Sequence, residues 1–160
     1  MTYQKKIQLI IFMLILVVMG ILPGHGNASS TVNLSMGQSV YVAIYSHIYH
    51  GNIDKPFDLT ATLSIRNTDM EQEITIISVD YFDSNGDFLR NYIEKPILLK
   101  KLGAIRYIVK SKDRSGGSGA KFIVKWKSTQ PVNPPLIESI MISTRSSQGI
   151  SFISRGQVIK

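Results

Sequence analysis

The sequence predicts an all-β fold: an immunoglobulin-like antiparallel β-sandwich of about 7–9 strands, preceded by an N-terminal signal or anchor helix. Three observations predict it. Several segments alternate apolar and polar residues at every second position, which places one face of a strand on a core and the other in solvent. Turn residues punctuate those segments at intervals of roughly eight to twelve residues. No segment after residue 28 keeps a helical period for three turns.

The chain begins with an address. Lys5 and Lys6 precede Ile7–Leu22, an almost wholly apolar run of 16 residues, and Pro23 and Gly24 then break any helix. Gly26 and Ala28 put small residues at the −3 and −1 positions of a cleavage site after Ala28. Residues 1–28 therefore read as a signal peptide, with an uncleaved N-terminal anchor as the rival; a spanning helix wants roughly 20 apolar residues. Either way the domain is expected outside the cytoplasm, in the periplasm or at the cell surface. Membrane contact is expected only through Ile7–Leu22, if that segment is retained. The chain has no Cys, so neither a disulfide nor a thiolate metal site is available, and packing alone must hold the fold.

Residues 29–37 form a polar leader, and residues 38–160 are expected to be a single sandwich domain. In residues 38–46, Val40, Val42 and Ile44 alternate with Tyr41, Ala43 and Tyr45. Residues 47–56 contain Gly51, Asn52, Asp54 and Pro56 and read as a loop. Residues 57–66 are the clearest strand: Leu59, Ala61, Leu63 and Ile65 alternate with Thr60, Thr62, Ser64 and Arg66. A polar turn at 67–72 leads to a second strand, 73–82, rich in β-branched and aromatic residues. Asn85-Gly86 then signals a hairpin; a two-residue turn there sets Phe82 opposite Leu89 and Tyr81 opposite Arg90.

Short strands are expected at 88–93, 97–102 and 105–110. Residues 111–119 form a glycine-rich loop with large backbone freedom. In 121–127, Phe122, Val124 and Trp126 face one way and Lys121, Lys125 and Lys127 the other, with Trp126 the natural centre of a core. Pro131, Pro134 and Pro135 interrupt the chain, and two strands, 137–144 and 150–159, complete it.

Enzyme signals are thin, and catalytic residues are not expected. Only His47 and His50 serve the chain after residue 28. Gly116-Gly117-Ser118-Gly119 lacks the strand–turn–helix setting of a nucleophile elbow. It also lacks the Gly-Lys-Ser/Thr of a nucleotide loop, although its amides could cradle an anion beside Lys112, Arg114 and Lys121. Asp83, Asn85 and Asp87 match the first ligands of a calcium loop, but Phe88 occupies the required glycine position and strands flank the segment. His47, His50 and Asp54 could hold a transition metal if the chain bends there. The plainer reading is that one imidazole caps a turn and the other bonds backbone.

Without residues 1–28 the chain carries 16 Lys and Arg against 11 Asp and Glu, a net charge of +5. With an export signal, that balance points away from nucleic acid and toward an envelope protein or an anionic envelope polymer. Lys112, Arg114, Lys121, Lys125 and Lys127 are the candidate anion contacts. The charge is lopsided: from Asp54 to Asp87 eight acids oppose Lys55 and Arg66, and from Arg90 to Lys127 eleven bases oppose Glu94 and Asp113. If the two segments occupied different sheets, the domain would be dipolar.

Six strings together resemble a bacterial exported family, the domain of unknown function numbered 3124. They are residues 42–51 (VAIYSHIYHG), 56–69 (PFDLTATLSIRNTD), 78–87 (SVDYFDSNGD), 115–126 (SGGSGAKFIVKW), 131–135 (PVNPP) and 148–158 (QGISFISRGQV). The resemblance spans nearly the whole chain after the leader. It implies an envelope-located bacterial protein and brings no activity and no catalytic residues. The expectation from residues and resemblance together is a non-catalytic interaction domain. A small metal- or ligand-binding protein using His47 and His50 is the alternative, and an envelope hydrolase a distant third.

Overall fold

The computed structural model describes residues 3, 4, 12, 33–50, 53–144 and 149–160, without the side chains of residues 50 and 53–55. The chain divides into a unit Met1–Thr31 and a unit Val32–Lys160. The expected N-terminal helix and the cleavage site after Ala28 lie outside the described residues. Among the described residues no helix is long and apolar enough to cross a membrane.

The second unit is built from antiparallel strands. They are β1 (Ser35–Ala43), β2 (His47–His50), β3 (Ile53–Asp58), β4 (Thr60–Arg66), β5 (Ile74–Phe82), β6 (Phe88–Asn91), β7 (Ile97–Leu99), β8 (Ala104–Val109), β9 (Lys121–Val132), β10 (Leu136–Ser143), β11 (Ile150–Arg155) and β12 (Gln157–Val158). One sheet runs β12-β1-β9-β5-β6 with β7 also on β5, a second runs β11-β10-β4-β8, and β2 and β3 pair as a ribbon. The sheets end in open edges and do not close into a barrel.

The two larger sheets share one core. Ala61, Leu63 and Ile65 of β4 and Met141 of β10 meet Val42 of β1, Val79 and Tyr81 of β5, and Phe122, Val124 and Trp126 of β9, all fully or nearly fully buried. Every apolar side chain buried in the described core lies between Val40 and Met141, so residues 32–160 carry their own core. Packing alone sustains it, as the absence of Cys requires. The alternation read from 60–66 and 121–127 is the alternation observed except at Ser64, which is buried as well, and Trp126 is at 2% exposure.

The strand count rises from the expected 7–9 to twelve among the described residues, because three expected segments divide differently. Residues 47–50 and 53–56, expected within a loop, join residues 57–58 in the β2–β3 ribbon, with His47 opposite Asp58 and a bulge at Tyr49/His50. The segment read as one strand, 57–66, is two: at Leu59 the chain leaves β2 and joins β10 and β8. Leu59 is fully buried and its amide donates to the Ser46 carbonyl at 2.9 Å, so the change of partner leaves that amide satisfied. The final segment, 150–159, splits at Gly156: β11 pairs with β10, whereas β12 crosses to β1. A Cβ on Gly156 would lie 2.6 Å from Val40 Cγ1 and 2.9 Å from the Ile137 carbonyl oxygen, so the crossing needs glycine.

Two further expectations are corrected. Phe82 pairs with Phe88, not Leu89, although Tyr81 does pair with Arg90. The turn is a three-residue loop: the Asp83 amide donates to the Asp87 carbonyl, Gly86 donates to Asp83, and Gly86 has φ +95°. A type I turn ending in a left-handed glycine accounts for the Asn-Gly signature equally well, and Leu89 becomes the extra residue of a bulge. Pro131 lies inside β9 instead of ending it. There β9 has run past its last pairing with β5, Thr75↔Lys127, so proline withholds no hydrogen bond from that neighbour.

The acidic and basic segments interleave. β4 of the first pairs with β8 of the second, and β5 pairs with β6, β7 and β9. Arg114–Asp58 at 2.6 Å and Lys125–Asp80 at 4.0 Å join the two segments directly.

Candidate functional site

Ser46, at the base of the β2–β3 ribbon, brings the two candidate clusters together. Its Oγ donates to the Gly117 carbonyl at 3.1 Å, joining the histidine segment to the glycine-rich loop 71 positions away. The same loop places Arg114 on Asp58, with Nε–Oδ1 2.8 Å, and Asp58 is the cross-strand neighbour of His47. His47, Arg114 and the loop therefore belong to one end of the domain. The side chains of His50 and Asp54 lie outside those described.

His47 is buried, and both ring nitrogens have partners. Nδ1 is 3.1 Å from Ser46 Oγ, and Nε2 is 3.3 Å from the Tyr49 hydroxyl, with the two rings edge to face at 5.4 Å. Residues i and i+2 of a strand share a face, which explains the Tyr49 contact. A metal at His47 would have to displace Ser46 or Tyr49. Among the described residues no three His, Asp or Glu side chains come together as a ligand set.

The glycine-rich loop is packed, contrary to its expected freedom. Ser84 Oγ donates to the Gly116 carbonyl and accepts from the Gly119 amide at 2.9 Å; the Gly117 amide donates to Arg114 and the Ser115 amide to Asp113. These amides are committed within the chain, which leaves little of an anion cradle. Lys121 Nζ donates to the Asp83 carbonyl, holding the β5–β6 turn against the same loop.

Beside this end lies an aromatic and ionic cluster. Arg90 caps the rings of Tyr81 and Tyr92, 5.1 Å from each centroid, and pairs with Asp113. Burial pushes the Asp113 carboxyl up, but donors from Ser115 and Arg90 outweigh it and hold the group below its ordinary value. Tyr81 is pushed up to about 12, first by burial and then by Asp113 and Tyr92. Its hydroxyl is buried without a partner among the described groups.

Of the remaining candidate contacts, Lys112 is exposed on the loop after β8, and Lys125 and Lys127 lie elsewhere, along the outward face of β9. Lys121 to Lys127 spans about 20 Å of strand. Their neighbours are short: Ser39 and Ser78 flank Lys125, and Gly37 and Thr75 flank Lys127.

Two features had no counterpart in the sequence reading. A depression of about 220 Å³ is lined by Asp58, Thr60, Ser111, Ile142, Ser143 and Thr144, drawn from separate stretches of the chain. Asn67 and Asp69 form a buried polar knot. Asn67 Nδ2 reaches the carbonyls of Gln72, Leu99 and Lys100, and Asp69 accepts from the amides of Glu71, Gln72 and Asn133. Asx-turn chemistry after an alternating strand was the available signal for the knot.

A family model for a protein of unknown function, DUF3124, matches residues 37–159. The chain belongs to that family. The match covers both sheets, the ribbon and the glycine-rich loop, so DUF3124 includes every candidate residue described above. No curated protein matches the chain. Among solved structures, the crystal structure of Thermotoga maritima 1070 is similar over 75% of this chain and 92% of its own, with 8% sequence identity and a TM-score of 0.43.

Proposed function

We propose that this DUF3124 protein is a non-catalytic, immunoglobulin-like interaction domain of the bacterial cell envelope. Residues 1–28 export or anchor it, and an anionic envelope polymer, or an envelope protein bearing similar charge, is its partner. The observation that carries the contact is the row Lys121, Lys125 and Lys127 on the outward face of β9, a central strand of the six-stranded sheet. Lys125 and Lys127 project among short side chains, so an extended polymer can approach both ammonium groups without displacing a bulky neighbour. The Lys125–Asp80 pair is long and half-exposed, and such pairs contribute little against a competing polyanion. The net charge of the whole chain, +7, favours the same partner.

Two experiments test the reading. Mass analysis of the chain after expression in a bacterial host should find an N-terminus at Ser29, or the intact chain in the envelope fraction; recovery from the cytoplasm alone overturns the location. Titration of residues 33–160 with long-chain polyphosphate should show salt-sensitive binding that weakens about tenfold or more in Lys125→Ser/Lys127→Ser. Equal binding by both proteins removes β9 as the contact.

A further inference from the structure

The outer face of the four-stranded sheet carries a second, chemically different surface. Register places Ile153 beside Ile140, Ile140 beside Thr62, and Thr62 beside Ile108, so one row runs across all four strands with isoleucine at three of its four positions. Ile108 is 51% exposed, Ile153 58%, and the neighbouring Ile142 47%. No described residue packs over this row. Outward positions of a solvated sheet are ordinarily polar, and a continuous apolar row rimmed by charge marks a contact surface.

The rim decides the kind of contact. The adjacent row reads Arg155, Glu138, Ser64, Arg106, and Arg66 lies beyond it beside Leu136. Three exposed guanidinium groups thus accompany one half-buried carboxylate. A second copy of the chain fits poorly: a two-fold axis along the strands stacks the isoleucine rows but sets Arg106 of one copy over Arg155 of the other. Apolar side chains standing between cations instead complement a surface that is anionic outside and hydrocarbon beneath. The hydroxyl-lined depression shares Ile142 with this face, and its one carboxylate, Asp58, is paired with Arg114. It therefore offers hydroxyl groups at headgroup level without a bare negative charge.

We propose that this face docks on a bilayer containing anionic phospholipid. Ile108, Ile142 and Ile153 enter the boundary between headgroups and acyl chains, while Arg66, Arg106 and Arg155 meet the phosphates. The docking is a property of the face; only the identity of the membrane rests on the envelope reading above.

Cosedimentation of residues 33–160, which carry their own core, tests the proposal. Vesicles of mixed phosphatidylglycerol and phosphatidylcholine should bring the protein down at about 0.1 M salt, and pure phosphatidylcholine vesicles should not. Ile108→Ser/Ile153→Ser and Arg106→Ser/Arg155→Ser should each weaken binding at least about tenfold, with unchanged circular dichroism and thermal midpoint. Lys95→Ser/Lys160→Ser, which removes two exposed charges beside the other sheet, should bind as the unaltered protein does. Absence of binding to the mixed vesicles overturns the proposal. So does a loss in the lysine variant equal to that in the arginine variant, which would mean diffuse charge attraction. A dimer in solution that the isoleucine variant dissociates overturns it in favour of a second copy. Retained polyphosphate binding with no vesicle binding leaves the polymer reading standing and removes only this one.

Discussion

Gly116 and Tyr81 touch so closely that a Cβ on the glycine would fall 2.1 Å from the tyrosine hydroxyl oxygen. Ala120 Cβ would be 2.6 Å away on another side. The glycine is required by the buried ring beneath it, since its own φ is not among the positive ones.

Gly116→Ala should therefore destabilise the domain by about 2–3 kcal/mol through overpacking. Tyr81→Phe should cost little or stabilise slightly, because the lost hydroxyl has no partner among the described groups. Combining the two should recover part of the alanine loss and leave the Ala120 contact unrelieved. Urea midpoints for the four proteins of the cycle measure the coupling.

Asn67→Ala should cost about 2–4 kcal/mol, since three carbonyls lose their donor and the Asp69 amide loses its acceptor in a buried site. Asn67→Asp should cost more, because a carboxylate would face the same three carbonyl oxygens. Chemical denaturation of each variant checks the order.

Acid should loosen the same knot. Amides of Glu71, Asn133 and Gln72 hold the Asp69 carboxyl below its ordinary value, and Asp113 is lowered as well. A folded value below the unfolded one means the stabilisation is full above about pH 4, the unfolded value, and disappears as pH falls through the lower folded value. Urea midpoints should decline below about pH 4. Asp69→Asn should be less stable at neutral pH and show a flatter decline, because it removes one of the carboxylates that must protonate.

Gly156→Ala should destabilise by about 2 kcal/mol or more, because backbone at Ile137 and the Val40 side chain both block the new methyl. The loss should appear as weakened protection of the Ser39 and Ile159 amides in hydrogen exchange, since β12 is placed by this crossing.

Strand faces were legible in the sequence and strand partners were not. Period two at residues 60–66 states which side chains go inward, and Leu63 and Ile65 obey it. It cannot state that β4 and β5, consecutive in the chain, join different sheets, because both sheets bury apolar side chains in one core. Leu59 and Gly156 mark partner changes that depend on distant backbone, at Ser46 and at Ile137. The site follows the same logic. Lys121, Lys125 and Lys127 were readable as an outward row because their spacing is local. The Ser46–Gly117 bond and the hydroxyl-lined depression were not, because tertiary structure alone assembles them. Family membership was legible in strings of residues, independently of any geometry.

The pairing of β12 with β1 sets an order of events. Ser39 exchanges backbone hydrogen bonds with the end of the chain, donating to the Lys160 carbonyl at 2.8 Å and accepting from the Ile159 amide at 2.9 Å. β1 is thus completed by residues that lie far along the chain from it. Until those residues are in place one side of β1 stays bare, and pairings between such distant parts form slowly. A sheet whose first strand waits for partners so far along the chain should close late, so refolding should be slower than for a sheet built from neighbouring hairpins.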